Sequence, residues 1–322
     1  MRRIFAAAQI AAAVCAAVMT FSSPAAAWPE RSVRFIVPLG PGSGVDITAR
    51  LVGDALSKKW GQPVVVENKP GGDGIIAINA FIGSNDDHVL LFAPTGSFSS
   101  HPYTNDKLPY DPSALAPIAR VTNTIVGIAV PASTGMNSLK DLIDRVKKDP
   151  GKLNWASATA TNEFLFQGFL KESNLDMAKV PYRDTVSAIN DLGEGRIQMY
   201  VGAYAIMRPQ VQAGKVKVLA VTNDERAKGA NDIPTVTEAG FPKLQFNGLV
   251  GIFGPTKMPD AVRAQIAADA KEALLQPEAT ARLTATGQNV SPGTAAEFAK
   301  AQKEQTDQVD GVAKLLGLKR AQ

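Results

Sequence analysis

The segment Pro38-Leu39-Gly40-Pro41-Gly42-Ser43-Gly44-Val45-Asp46 is rich in glycine and is followed by Ile47, Leu51, Val52, Ala55 and Leu56 at helical spacing. Its glycines let backbone N–H groups converge, and a helix N-terminus adds partial positive charge, so the natural guest is an anion. The bland alternative is a tight turn in which Ser43 caps the helix and Asp46 closes the box while pairing with Arg50. No Lys-Ser/Thr follows, which separates the loop from a nucleotide-binding P-loop, and the G-x-G-x-x-G spacing is missing. A second hydroxyl-rich stretch, Ser157-Ala158-Thr159-Ala160-Thr161-Asn162, also leads into a helical pattern, and Thr95-Gly96-Ser97 is a third. Both have N-capping as their ordinary explanation. Tyr182-Arg183-Asp184-Thr185 places a fixed positive charge, Arg183, before another helix, where an ion pair with Asp184 is the simpler use. Tyr200 and Tyr204 flank Gly202 beyond a strand, where they stack on a flat ligand or cover a sheet edge.

The remaining composition removes competing chemistries. Among 322 residues there are two His, His88 and His101, and one Cys, Cys15, which leaves no disulfide framework, no Cys-based zinc site and little for a His-ligated metal or a His-driven triad. His88 reads as the start of a strand and His101 as a loop residue before Pro102 without a carboxylate close in sequence; Asp86-Asp87 reads as a solvated turn. Neither G-x-S-x-G nor H-E-x-x-H occurs. An apolar share of 45% against 20% charged residues indicates a packed globular chain, and the length favours two lobes over one core.

Arg2 and Arg3 precede an apolar run over residues 4–19, and Ala25-Ala26-Ala27 offers a small-residue cleavage site before Trp28. The expectation is a signal peptide cleaved after Ala27, with Cys15 leaving alongside it and a periplasmic destination. Gln9 interrupts the run and Thr20 and Ser22 end it, short of the ~20 apolar residues a membrane anchor needs. What remains carries 32 basic and 30 acidic residues, with no polybasic block to hold nucleic acid.

The elements that must position these loops alternate along the chain. Apolar runs at 33–37, 64–66, 89–92, 125–130, 153–156, 197–201, 216–221 and 246–253 read as strands, and helical spacing falls at 75–82, 139–147, 164–170, 259–275 and 294–316, with another helix ending near Gly214. Ser138 with Asp141, Thr235 with Glu238 and Thr294 with Glu297 have capping-box spacing. This alternation predicts an α/β fold of parallel sheets covered on both faces, with ligands bound beyond the carboxyl ends of the strands. The C-terminal helices are expected to return to the first lobe.

An ordered set of motifs narrows the class: Trp28-Pro29-Glu30-Arg31, Pro41 through Ile47 with Ala49-Arg50, Gly61-Gln62-Pro63-Val64-Val65-Val66-Glu67-Asn68-Lys69-Pro70-Gly71, Leu108-Pro109-Tyr110-Asp111-Pro112, and Val180-Pro181-Tyr182-Arg183. Ala213-Gly214-Lys215, Leu219-Ala220-Val221-Thr222 and Pro234-Thr235-Val236-Thr237-Glu238-Ala239-Gly240 continue it. Together they resemble the Bug-type solute-binding receptors of tripartite tricarboxylate transporters over essentially the whole mature chain. The resemblance implies a two-lobed, type II-like Venus-flytrap fold with a hinge, no cofactor, no metal and no enzymatic activity. Lobe 1 would comprise residues 28–123 plus 223–322, lobe 2 residues 124–222, with crossings near Asn123 and Asn223. A ligand carboxylate would lie between the lobes on backbone amides of the two Gly/Ser/Thr loops. Membrane transporter subunits would be the partners of a monomeric receptor.

Three departures shape the expected ligand. The second loop is about one residue short of the family's Gly/Ser-rich version, so Thr159, Ala160 and Thr161 have no individual counterparts. Gly202 stands where relatives that bind amino acids often carry Asp, and Leu249 where an aromatic is frequent. Loss of an acid and of a large ring suits a dicarboxylate rather than an amine; Tyr182, Tyr200, Tyr204 and Phe98 suggest an aromatic one such as terephthalate. The expected contacts are Gly42, Ser43, Gly44, Val45, Asp46, Thr95, Ser97, Ser157, Thr159, Ala160, Thr161, Asn162, Tyr182, Arg183, Gly202 and Tyr204. The competing classes are an exported hydrolase using Ser43 or Ser97, for which no general base is apparent, and a sensory protein that presents its ligand to a membrane receptor.

Overall fold

The computed structural model describes residues 28–321 apart from Ala158 and Arg183, so the expected signal peptide and the expected Arg183 contact lie outside the described residues. The chain begins with β1 (Val33–Val37), α1 (Gly44–Trp60), β2 (Val64–Asn68), α2 (Ile75–Ser84), β3 (Val89–Pro94), α3 (Gly96–Thr104) and β4 (Ala116–Thr124). Past Ile125 it continues through β5 (Val126–Pro131), α4 (Leu139–Lys148), β6 (Asn154–Ser157), α5 (Ala160–Glu172), β7 (Ala178–Lys179), α6 (Thr185–Gly193), β8 (Met199–Ala203), α7 (Tyr204–Gln212) and β9 (Val216–Val221). It then returns through β10 (Gly248–Gly254), α8 (Asp260–Leu274), α9 (Pro277–Ala285), β11 (Gln288–Gly293) and α10 (Ala295–Leu316).

Local chemistry accounts for the first turns of these elements. In α1, Val45, Ala49, Val52 and Leu56 form one buried stripe, the Ser43 hydroxyl caps the start, and Gly61 in the left-handed region closes the end on the Ser57 carbonyl. In α4, Ser138 and Asp141 form a complete capping box. The same reciprocal bonds join Thr235 and Glu238, there in a turn with no helix following.

Two sheets result, ordered β11-β4-β10-β3-β1-β2 and β7-β6-β8-β5-β9. Neither is purely parallel, which corrects the sequence expectation. β1, β2 and β3 run parallel, but β10 lies antiparallel between β3 and β4, and β11 is antiparallel to β4. In the second sheet β6, β7 and β8 are parallel while β5 is antiparallel to both β8 and β9. The reason is connectivity: β5 is the strand on which the chain enters the second sheet and β10 the one on which it re-enters the first. A strand arriving from the other sheet starts at the junction and runs away from it, opposite to strands built by helical crossovers. The carboxyl ends of β1, β3, β6 and β8 therefore all lie on the side where the two sheets adjoin.

Each sheet is covered on both faces by apolar clusters, which explains why every residue of β5 and nearly all of β3 are buried. α10 does more than return to the first sheet. It packs on β4 and, more extensively, on α5, where Phe164, Phe246, Val309 and Ala313 form a separate apolar cluster and Tyr103 stacks on Phe164 at 5.9 Å.

Asn223 ties the crossing strands together. Its Oδ1 accepts from the Val126 amide at 3.0 Å and its Nδ2 donates to the Thr124 carbonyl at 2.9 Å, on either side of Ile125. Asn223 is fully buried, so Asn223→Leu leaves a backbone donor and acceptor without partners. Urea denaturation should show the variant destabilised by about 2–4 kcal/mol with an unchanged slope.

Candidate functional site

The first loop sits at the carboxyl end of β1 and is held from within. Gly42 adopts φ +82°, a left-handed turn that favours glycine. Its N–H donates to Asp46 Oδ2 at 2.8 Å, and Asp46 also takes bonds from Arg50 and from Asn68 Nδ2 at 2.8 Å. Asp46 is buried, and burial opposes its ionisation; the bonds from Arg50, Asn68 and the Gly42 amide outweigh that and hold its carboxyl below the ordinary value. Asp46 thus shapes the loop, and its box closes on Gly42 rather than on Ser43. Ser43 caps with its hydroxyl, accepting from the Asp46 amide at 3.2 Å. Among the described residues, the N–H groups of Gly44 and Val45 have no acceptor, as expected for a helix's first turn.

The second loop repeats this arrangement from the other sheet. Ser157 ends β6, and its hydroxyl bonds the Thr159 backbone at 3.4 Å. Thr159 caps α5 by accepting from the Asn162 amide at 3.4 Å. The amides of Ala160 and Thr161 have no acceptor among the described residues. Thr161 is buried, and its hydroxyl lies 3.1 Å from Ser100 Oγ on α3, so helices α3 and α5, from the two sides, touch beside this loop.

The third segment is largely committed elsewhere. Thr95 is buried, its hydroxyl bonds Gln305 of α10, and its amide bonds the Leu249 carbonyl at 2.9 Å. Ser97 bonds Asp73 Oδ1 at 3.2 Å. Phe98 packs edge-on against Phe253 at 5.2 Å and offers no face to a ligand.

His101 corrects one expectation, its place in a loop. It lies inside α3 and is fully buried, with Nδ1 2.7 Å from the Tyr110 hydroxyl, Nε2 3.1 Å from the Asp73 carbonyl and the Asp73 carboxylate 3.6 Å away. Helix spacing brings it one turn from Ser97, but both ring nitrogens are occupied, which removes it as a base for a Ser97 hydrolase. Asp86 and Asp87 lie at a solvated turn, as expected, with Asp87 exposed. With His88 they form the one grouping of potential metal ligands among the described residues, yet Asp86 pairs with Arg31 at 2.7 Å, Asp87 with His88 Nδ1 at 2.7 Å, and His88 Nε2 accepts the Glu30 amide.

The tyrosines divide. Tyr182 donates to Asp191 at 2.6 Å, and burial together with that bond pushes its phenol up to about 12. Asp184 caps α6 through the Ser187 amide and hydroxyl, each at 2.8 Å. Tyr204 opens α7 and lines a cavity of about 40 Å³ with Ile125, Arg208 and Gly287 on the hinge side. Tyr200 lies inside β8, and so does Gly202, which the sequence placed just past the strand; Tyr200 is completely buried, which pushes its phenol upward. Leu249 is buried on β10. Sequence reasoning missed Gln288, whose amide a Cβ at Gly44 would strike and which bonds Thr122 at 2.9 Å, and Gln305, because both act from the distant C-terminal part.

Two mixed sheets joined at their strand ends, each presenting a capped helix start there, define a periplasmic-binding-protein fold. The chain matches the tripartite tricarboxylate transporter family receptor over residues 48–318 and belongs to that family. A Pseudomonas sp. strain P51 protein encoded between tcbD and tcbE is 29% identical over 301 residues, 91% of this chain and 89% of its own length. A structure described as a periplasmic transporter is 32% identical with a TM-score of 0.77, covering 89% of this chain and 98% of that one. MatC from Rhodopseudomonas palustris, solved with bound malate, is 26% identical with a TM-score of 0.74, covering 88% and 99%. The family is one of transporter receptors, and no helix of the described residues is long and apolar enough to cross a membrane.

The loop scaffold makes a pH-dependent prediction. Because the folded-state Asp46 carboxyl lies below its ordinary 3.8, its contribution is complete above that pH and is lost as pH falls through the lower folded value. Thermal melts should show Asp46→Asn destabilised at neutral pH by about 1–3 kcal/mol. The gap to wild type should narrow below pH 3.8.

Proposed function

We propose that this receptor captures a dicarboxylate between two closing lobes, one carboxylate on each capped helix start, and delivers it to the membrane subunits of a tripartite transporter. The observation that supports this reading is the pair of amides without acceptors among the described residues on each side, Gly44 and Val45 from the first sheet, Ala160 and Thr161 from the second. The lobes divide near Ile125 on the way out and ahead of Gly248 on the way back: Ala227, Ile233, Val236 and Leu244 pack in the clusters of the second sheet, so the stretch after Asn223 goes with the second lobe rather than, as the sequence suggested, with the first. Charge-assisted hydrogen bonds contribute about 1.5–3 kcal/mol each, so a few of them, after the costs of association, leave the ~8 kcal/mol of micromolar affinity. Malate in MatC is itself a dicarboxylate.

Terephthalate is our specific candidate within this class. Leu249 stands in place of an aromatic, Gly202 brings no carboxylate, and Tyr204 is half-buried at the start of α7. The receptor acts as a monomer, without cofactor, in the periplasm.

Thermal shift against a panel of succinate, malate, adipate, terephthalate, benzoate and amino acids tests the class. A true ligand at a hundred times its dissociation constant adds ~2.7 kcal/mol, a rise of about 5–10 °C. Stabilisation by amino acids but by no dicarboxylate contradicts the reading. Arg183→Ala should weaken dicarboxylate binding roughly tenfold if its guanidinium joins the site; unchanged affinity removes it. Small-angle scattering should show contraction on binding.

A further inference from the structure

The Tyr200 hydroxyl is buried, yet it has no hydrogen-bond partner among the described residues. Burying a hydroxyl without a partner is costly, and in a native protein such a group asks for an explanation. The cause is visible in β8. Alternate residues on a strand share a face, and the Tyr200 ring lies along the strand towards its carboxyl end, over Gly202. A Cβ on Gly202 would lie 2.6 Å from the Tyr200 oxygen, so any side chain there would displace the phenol.

The register fixes where the hydroxyl ends up. Ala156 and Ser157 of β6 pair with Tyr200 and Val201, so the level of Gly202 is that at which β6 gives way to the second amide-bearing loop. On the other side Gly202 pairs with Gly127, next to the crossing into β5. Thr185, the first residue of α6, lies beside the phenol, where its hydroxyl can donate to the phenol oxygen at long range, but it does not take the phenol's own proton. The hydroxyl thus lies at the level of Gly202, near the carboxyl end of β8 and within the cluster that covers this face of the sheet, with its own donor unused.

We propose that Tyr200 is a ligand-binding residue whose hydroxyl donates to a carboxylate of the bound dicarboxylate, and that Gly202 is small so that the phenol can reach it. This rests on the dicarboxylate reading above and adds a specificity determinant to it. A phenol donor placed here rewards a second anionic acceptor and gives little to a ligand with one carboxylate, which the helix-start amides alone can hold.

Titration calorimetry of wild type, Tyr200→Phe and Gly202→Ala with succinate, malate, adipate and terephthalate, and with butyrate and benzoate as single-carboxylate probes, tests this. Tyr200→Phe should bind the best dicarboxylate roughly tenfold more weakly while single-carboxylate affinity is unchanged. Its melting temperature without ligand should be no lower than wild type, since the ring stays and only the unpartnered hydroxyl goes. Gly202→Ala should lower dicarboxylate affinity too, by pushing the phenol aside. In wild type alone, dicarboxylate should produce a tyrosine ultraviolet difference spectrum that Tyr200→Phe lacks. Unchanged dicarboxylate affinity in Tyr200→Phe overturns the proposal, as does an equal loss for both ligand classes. A wild-type protein that binds none of the panel overturns the dicarboxylate reading itself, and this role with it.

Discussion

The first amides of a helix have no carbonyl behind them to accept their protons, and the rest of this molecule is arranged around where two such starts are placed. Ser43 and Thr159 each satisfy the third helical amide with a side-chain oxygen, and the first two have no acceptor among the described residues. Each amide pair carries the partial positive charge of its helix, so it favours an anion without a charged side chain in contact. A site made this way does not titrate near neutral pH and does not require a side chain that a single substitution can delete. The Asp46 carboxylate, which at first sight would repel an anion, is turned inward and neutralised by Arg50, Asn68 and Gly42.

Bringing the two starts together is the work of the topology. Had all strands been added by helical crossovers within one sheet, the two loops would lie along one edge. Instead the chain leaves the first sheet at Thr124, builds the second, and returns at Gly248, so the strand ends of both sheets adjoin. Asn223 bridges the crossing at the backbone level, and the α5–α10 cluster adds an apolar seam beside it. The seam bounds how the lobes can move: a rotation that opens the loops must pivot near these helices or expose Phe164 and Val309 to water.

Legibility in the sequence followed how local each determinant was. The first-turn caps at Ser43, Ser138 and Thr294, and the strands at β1, β3, β5 and β9, could be read directly because the cap spacing and the apolar runs lie within a few residues. β4 and β11 escaped, since Ala116–Thr124 contains Pro117 and Arg120 and Gln288–Gly293 is polar and ends in Pro and Gly; pairing with β10 and with each other holds them. α3 reads as a loop because Ser, Gly and Pro102 are poor helix formers, and it is fixed by tertiary bonds of His101, Tyr110 and Asp73. The mixed sheets were missed because alternation of strands and helices does not say which strand carries the chain between lobes. Gln288, Gln305 and Asn223 act across long separations that spacing cannot reveal. The Tyr200–Gly202 pair was partly legible, since residues two apart on a strand share a face, but that the glycine gives way to the tyrosine required the packing.

Amide proton shifts followed by heteronuclear NMR during titration with the best-bound dicarboxylate test the central claim most directly. If backbone amides from two helix starts grip the ligand, the resonances of Gly44, Val45, Ala160 and Thr161 move downfield together and saturate with one dissociation constant. Saturable binding that leaves those four amides in place while shifting others would contradict the account.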